Sequence, residues 1–122
     1  MRVLITGSRR WLDETVIWDA LTGLVRDTDP LQVTVIHGGA AGVDRLADLW
    51  AHALGMRREV HKPVRGDGPD RFRIRNQRMV DAGADLCLTF ADGWASGTGM
   101  CARMARAAGI RTVDYGVNTE AR

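Results

Sequence analysis

The chain has 122 residues, 45% of them hydrophobic and 26% charged, with a formal net charge of +2. That length suits one domain with its own buried core and is too short for two. So small a charge does not demand a nucleic-acid partner, and no apolar run is long enough to cross a bilayer.

In chain order, Arg2-Val3-Leu4-Ile5-Thr6 reads as a first strand. The long apolar stretch of a signal peptide is missing from this start, so a cytoplasmic location is expected. Val16, Ala20, Leu21, Leu24 and Val25 recur at helical spacing, which predicts a helix over 13–26, followed by a turn from Asp27 to Pro30. Val33 to Ile36 is rich in β-branched residues and reads as a second strand. Val43, Leu46, Ala47, Trp50, Ala51 and Leu54 then mark an amphipathic helix that Gly55 ends. Arg57 to His61 is a third strand, and Lys62 to Pro69, with two prolines and two glycines, is a loop. Asp70 is placed to cap a helix running to about Ala82, with Gly83 as its stop. Asp85 to Phe90 is the fourth and most apolar strand. Ser96 or Thr98 can cap a helix carrying Met100, Cys101, Met104, Ala105 and Ala108, ended by Gly109. Arg111 to Tyr115 is a fifth strand, so one domain is expected over 1–116, with 117–122 as a flexible tail.

Strands alternating with helices predict an α/β fold, a five-stranded, mainly parallel sheet between two helical layers. Right-handed crossovers leave few arrangements, of which the order 3-2-1-4-5 is the one expected. The order reverses between the first and fourth strands. Ligands of such sheets bind at the carboxyl ends of the strands, at that reversal.

Three small-residue loops follow apolar runs and fall at that edge. They are Thr6-Gly7-Ser8-Arg9, His37-Gly38-Gly39-Ala40-Ala41-Gly42-Val43-Asp44 and Asp92-Gly93-Trp94-Ala95-Ser96-Gly97-Thr98-Gly99. Glycine lets a backbone approach a ligand closely, and a helix start offers unpaired N–H groups, so phosphate is the expected guest. The first loop is too short for a P-loop and no lysine follows its glycines; the dinucleotide spacing Gly-x-Gly-x-x-Gly is also missing. Ser8 can donate to a phosphate, and Arg9 or Arg10 can pair with one. Asp44 falls in the first turn of its helix, where it can cap backbone N–H groups, hold a ribose hydroxyl or meet a neighbouring arginine. His37, at the end of its strand, is placed at the site's edge. Arg71, Arg75 and Arg78 share a helical face, with Phe72 and Met79 free to face the core. That face is either simply solvated or brings Arg75 and Asn76 against the ligand. Ser96-Gly97-Thr98 is the best single phosphate candidate, and Trp94 beside it can stack on a base or cover the loop.

Cys87 and Cys101 sit in apolar runs without metal-ligand spacing and read as buried, reduced thiols. No metal and no cofactor is expected. Lys62 is the only lysine, a bias that a GC-rich genome explains as well as function does. Trp18, Trp50 and the methionines of the last helix can build a homodimer interface or serve as ordinary core.

Taken together, several segments resemble the SLOG superfamily, which includes the DNA-processing protein DprA (Smf) and the LOG phosphoribohydrolases. They are Val3-Leu4-Ile5-Thr6-Gly7-Ser8-Arg9, His37 to Asp44, Arg75-Asn76-Gln77-Arg78-Met79, Gly83-Ala84-Asp85 and Ser96-Gly97-Thr98. The match is best to its small YspA-like branch, found in bacteria and phages. It spans nearly the whole chain in order and implies a Rossmann-like fold with a site for a nucleotide-derived ligand. The LOG enzymes cleave the N-glycosidic bond of nucleoside 5′-monophosphates. Arg75 and Met79 fit their arginine–methionine pattern. Thr98 fits the threonine of Gly-Gly-x-Gly-Thr-x-x-Glu, but Cys101 stands at the catalytic glutamate's position. Glycosidic cleavage needs a carboxylate beside the cationic sugar, so Asp44 or Asp92 would have to substitute, with Arg75 as the third catalytic candidate.

Three functions are therefore weighed. The favoured one is a sensor or binding module for a nucleotide-like ligand held by Gly7, Ser8, Arg9, His37, Gly38, Gly39, Gly42, Asp44, Arg75, Asn76, Ser96, Gly97 and Thr98. Second is a nucleoside-monophosphate N-glycosidase or ribosyl transferase. DNA binding of the DprA kind comes last, because the net charge is weak and no nucleic-acid module is added. The expected partners are a nucleotide-like small molecule and a second copy of the chain, with no membrane.

Overall fold

The computed structural model describes residues 1–91 and 96–115, with only the backbone of 96–98. Five strands, β1 (Arg2–Gly7), β2 (Thr34–His37), β3 (Arg57–Val60), β4 (Leu86–Phe90) and β5 (Thr112–Tyr115), pair in the order β3-β2-β1-β4-β5. Every neighbouring pair is parallel, so the sheet is wholly rather than mainly parallel. The helices are α1 (Glu14–Leu24), α2 (Val43–Leu54), α3 (Arg71–Asp81) and α4 (Ser96–Ala107). This is the Rossmann-like arrangement, with its reversal between β1 and β4.

Side chains along a strand alternate between faces, and the core divides accordingly. Val3, Ile5, Val35, Leu88 and Phe90 pack with Ile17 and Leu21 of α1 and with Val43, Ala47 and Ala51 of α2. Leu4, Ile36 and Cys87 point the other way, onto Met79 and Val80 of α3 and Cys101 and Ala105 of α4. Each fully buried Val, Leu or Ile contributes roughly 1.5–3 kcal/mol. Burial on both faces is what continuous apolar strands require.

Several local expectations are corrected. The first helix is shorter than 13–26: Asp13 caps it through the Thr15 N–H, and the Val25 N–H closes its last turn on the Thr22 carbonyl. Pro30–Gln32 and Arg65–Asp70 form short 3-10 turns that begin within the expected turn and loop and run past their ends. Asp70 occupies the N-cap position of α3 but makes no capping bond; its carboxylate accepts from Arg73 at 3.0 Å. The dimer surface drawn from the sequence is divided by the sheet. Trp18 and Trp50 meet edge to face at 4.8 Å where α1 packs on α2, whereas Met104 packs from α4 onto the opposite face. No described helix is long and apolar enough to cross a membrane.

Candidate functional site

The first two loops meet at the carboxyl ends of β1 and β2, joined by Ser8. Its N–H donates to the Phe90 carbonyl at 3.0 Å and its carbonyl accepts from the Val43 N–H at 3.1 Å. Its hydroxyl oxygen accepts from the Arg10 N–H at 3.2 Å. The first N–H of α2 is thereby used. The N-cap of α2 is Gly42, with no side-chain cap, and the N–H groups of Asp44 and Arg45 have no partner among the described residues. Free donors at the positive end of a helix dipole suit an anion.

The glycines serve the protein's own packing. A Cβ at Gly7 would overlap the Val43 side chain and the Phe90 carbonyl, and one at Gly42 would overlap the Ser8 carbonyl. Gly42 also holds φ at +75°, where side chains are strained. A Cβ at Gly38 would fall on the Arg75 guanidinium. At these three positions glycine is required by close approach of loop to loop and of loop to arginine. Gly39, with φ of +72°, is the exposed glycine of the set.

Arg75 is 8% exposed. One terminal nitrogen, Nη1, donates to the Gly38 carbonyl at 2.6 Å and the His61 carbonyl at 3.2 Å, and Nε donates to Asn76 Oδ1 at 2.8 Å. Asn76 thus orients the arginine. Burial pulls the Arg75 pKa down and Asp44 opposes that shift, but a guanidinium stays charged at any ordinary pH. Of the arginines predicted to share a face, Arg78 departs to pair with Asp67.

Of the roles open to Asp44, the structure shows it accepting from backbone N–H groups. Its Oδ2 accepts from the N–H groups of Gly38 at 3.1 Å and Ala40 at 3.2 Å, so it braces the preceding loop instead of capping its own helix. Its Oδ1 accepts nothing from the described residues. Burial raises its pKa, against the pull of those N–H groups and of Arg75. His37 is 2% exposed and occupied on both ring nitrogens. Nδ1 accepts from the Gly39 N–H at 3.0 Å, which leaves Nε2 to carry the hydrogen toward Asp48 at 2.8 Å. At the end of β2 it braces the loop from within.

A feature the sequence did not announce is the surroundings of Phe72. The guanidinium carbons of Arg71, Arg9 and Arg75 lie 4.8, 5.4 and 5.9 Å from its ring centroid. None of the three makes an ion pair with a described residue, whereas Arg2, Arg58, Arg73, Arg78 and Arg106 each hold a carboxylate. The adjacency of Arg71, Phe72 and Arg75 was the available signal, though the sequence left Phe72 equally free to face the core.

Cys101 is 1% exposed, and burial pushes its thiol up to about 11. Thr6 and Arg75 pull that shift back and Asp44 adds to it. The glutamate position implied by the resemblance is therefore held by a neutral thiol packed in the apolar layer with Leu4, Ile36, Met79 and Val80. Asp92 and Trp94 lie outside the described residues, as do the side chains of Ser96 and Thr98; at Gly97 only the helical backbone is described. Among the described residues no three His, Cys, Asp or Glu side chains gather so as to hold a metal ion. An open hollow lined by Asp48, His52, Met56, Arg57, Arg58 and Val60 shares none of the candidate residues.

The chain is 45% identical over 123 residues to the Gene 61 protein of Mycobacterium phage D29, covering 94% of this chain and 96% of that one. No solved structure matches it. A family profile, YAcAr, described as the YspA, cpYpsA-related SLOG family, matches residues 1–65, the segment that holds both described loops. With half of its length under that profile, the chain belongs to the YspA, cpYpsA-related SLOG family.

Proposed function

We propose that the protein binds a nucleotide or nucleotide-derived phosphorylated ligand at the carboxyl ends of the strands, as a sensor or binding module. The observation that carries this reading is the uncapped start of α2 beside a buried arginine. Two free N–H groups and a fixed guanidinium converge on one edge of the sheet, and the residues that position them are already hydrogen-bonded to each other. Such preorganisation lowers the ordering cost of binding. Calorimetry with a panel of nucleosides and their 5′-phosphates tests it. Phosphorylated members should bind and the matching nucleosides should not. Equal binding of both, or no binding at millimolar concentrations, would overturn the reading.

Asp44 supports a second reading, an N-glycosidase acting on nucleoside monophosphates. Its Oδ1 is uncommitted among the described residues and its charge acts on Arg75, which supports Asp44 as the candidate carboxylate for a cationic sugar. Chromatography of nucleoside monophosphates incubated with concentrated protein should then yield free base, lost on Asp44→Asn. Absence of free base, or its persistence in that variant, removes this role for Asp44.

A further inference from the structure

We infer, resting on the binding reading above, that the ligand carries a diphosphate group, whose second phosphoryl is taken by Arg9 and Arg71 over Phe72. Three guanidiniums surround one phenyl ring, and no described carboxylate pairs with any of them. Like charges so close repel, and a ring face offsets only part of that repulsion. Other arginines also lack an ion pair, but among the described residues no other aromatic ring gathers guanidiniums.

The donors divide into two groups. Arg75 is committed: Nε and Nη1 are spent on Asn76, Gly38 and His61. With the α2 N–H groups it matches one phosphoryl group, which brings about −1.5 to −2 charges at neutral pH. Arg9 donates no side-chain hydrogen bond to a described residue, and Arg71 donates one, at 3.3 Å to the Gly68 carbonyl. Both therefore keep planar donor forks that suit phosphate oxygens. A monophosphate balances the first group and leaves the second uncompensated; a diphosphate serves both. Asp44 braces Gly38 and Ala40 and acts on Arg75, so its charge falls on the first group and not on Arg9 or Arg71.

The test is calorimetry with inorganic phosphate and pyrophosphate at one fixed ionic strength, so that screening is equal. Pyrophosphate should bind at least about tenfold tighter. Arg9→Gln and Arg71→Gln should each weaken pyrophosphate about tenfold while leaving orthophosphate within about twofold. Arg26→Gln, in the turn after α1, should change neither. Adenosine mono- and diphosphate and a symmetric dinucleoside diphosphate then separate a terminal diphosphate from a bridging one; tighter binding of either diphosphate than of the monophosphate supports the inference. Equal affinity for the two inorganic anions, or variants that weaken both alike, overturns the diphosphate inference and leaves the phosphate-binding reading intact. Binding of neither the inorganic anions nor the adenosine phosphates overturns both.

Discussion

Gly38→Ala tests whether the glycine loop is built around the protein's own arginine. Gly38 does not hold a positive φ, so alanine meets no backbone strain there. Taken alone, the lost flexibility of the unfolded chain would stabilise the variant by about 0.4–1 kcal/mol. The added methyl, however, falls on Nη1 and Cζ of Arg75. The guanidinium must shift and loosen its bonds to the Gly38 carbonyl, at 2.6 Å, and to the His61 carbonyl, at 3.2 Å. Hydrogen bonds from a charged donor are worth about 1.5–3 kcal/mol each, and a partial swing of the side chain recovers some of that. The expected net loss is therefore about 2–4 kcal/mol. Urea unfolding followed by circular dichroism measures it, within a double-mutant cycle that includes Arg75→Ala. In the Arg75→Ala background the methyl has room, so Gly38→Ala should become neutral or mildly stabilising, with a coupling of at least about 1.5 kcal/mol. A Gly38→Ala variant as stable as the parent, or additive effects in the cycle, would refute the steric account.

The remaining predictions concern titration and reactivity. Burial raises the Asp44 pKa above its ordinary 3.8, so the native state binds this proton more readily than the unfolded state. Its contribution falls as pH rises through 3.8 toward the native value, then levels. Asp44→Asn should accordingly gain stability relative to the parent between pH 3 and pH 7 in urea melts; a constant or shrinking difference would contradict the assignment. Glu59 is held down to about 2 by hydrogen bonds from Arg2 and then His61. The stability from this partly exposed cluster is full above pH 4.5 and lost as pH falls through about 2. Glu59→Gln should cost about 0.5–1 kcal/mol at pH 7 and almost nothing in strong acid, measured the same way. Burial pushes the Cys87 and Cys101 thiols up to about 12 and about 11. Thiol-reagent labelling at pH 8 should be at least about a hundredfold slower in the native protein than in urea; rapid native labelling would show that the site opens.

The strand order was legible because its causes are local or general. The apolar spacing of α2 and the β-branched run of β2 are periodicities within one segment, and right-handed crossovers limit how the segments connect. The edge where the loops meet was legible for the same reason. Element ends were less so: Asp70 looked like a cap and instead pairs with Arg73, because either local bond satisfies the same carboxylate. The tryptophans and methionines were all visible as apolar residues. Nothing in their spacing said that Trp18 and Met104 would fall on opposite faces of the sheet.

By itself, then, the sequence determined the α/β architecture, the order 3-2-1-4-5 and the family, since each rests on patterns within segments or on their order along the chain. Only the tertiary structure decided what the loop residues do. Arg75 reaches the Gly38 carbonyl across 37 positions of sequence, and the choice of glycine at 38 has meaning only once that guanidinium lies against it. In the same way His37 became a brace, Asp44 a clasp on the preceding loop and Phe72 the centre of three arginines. These roles depend on distance in space between elements that periodicity treats one at a time.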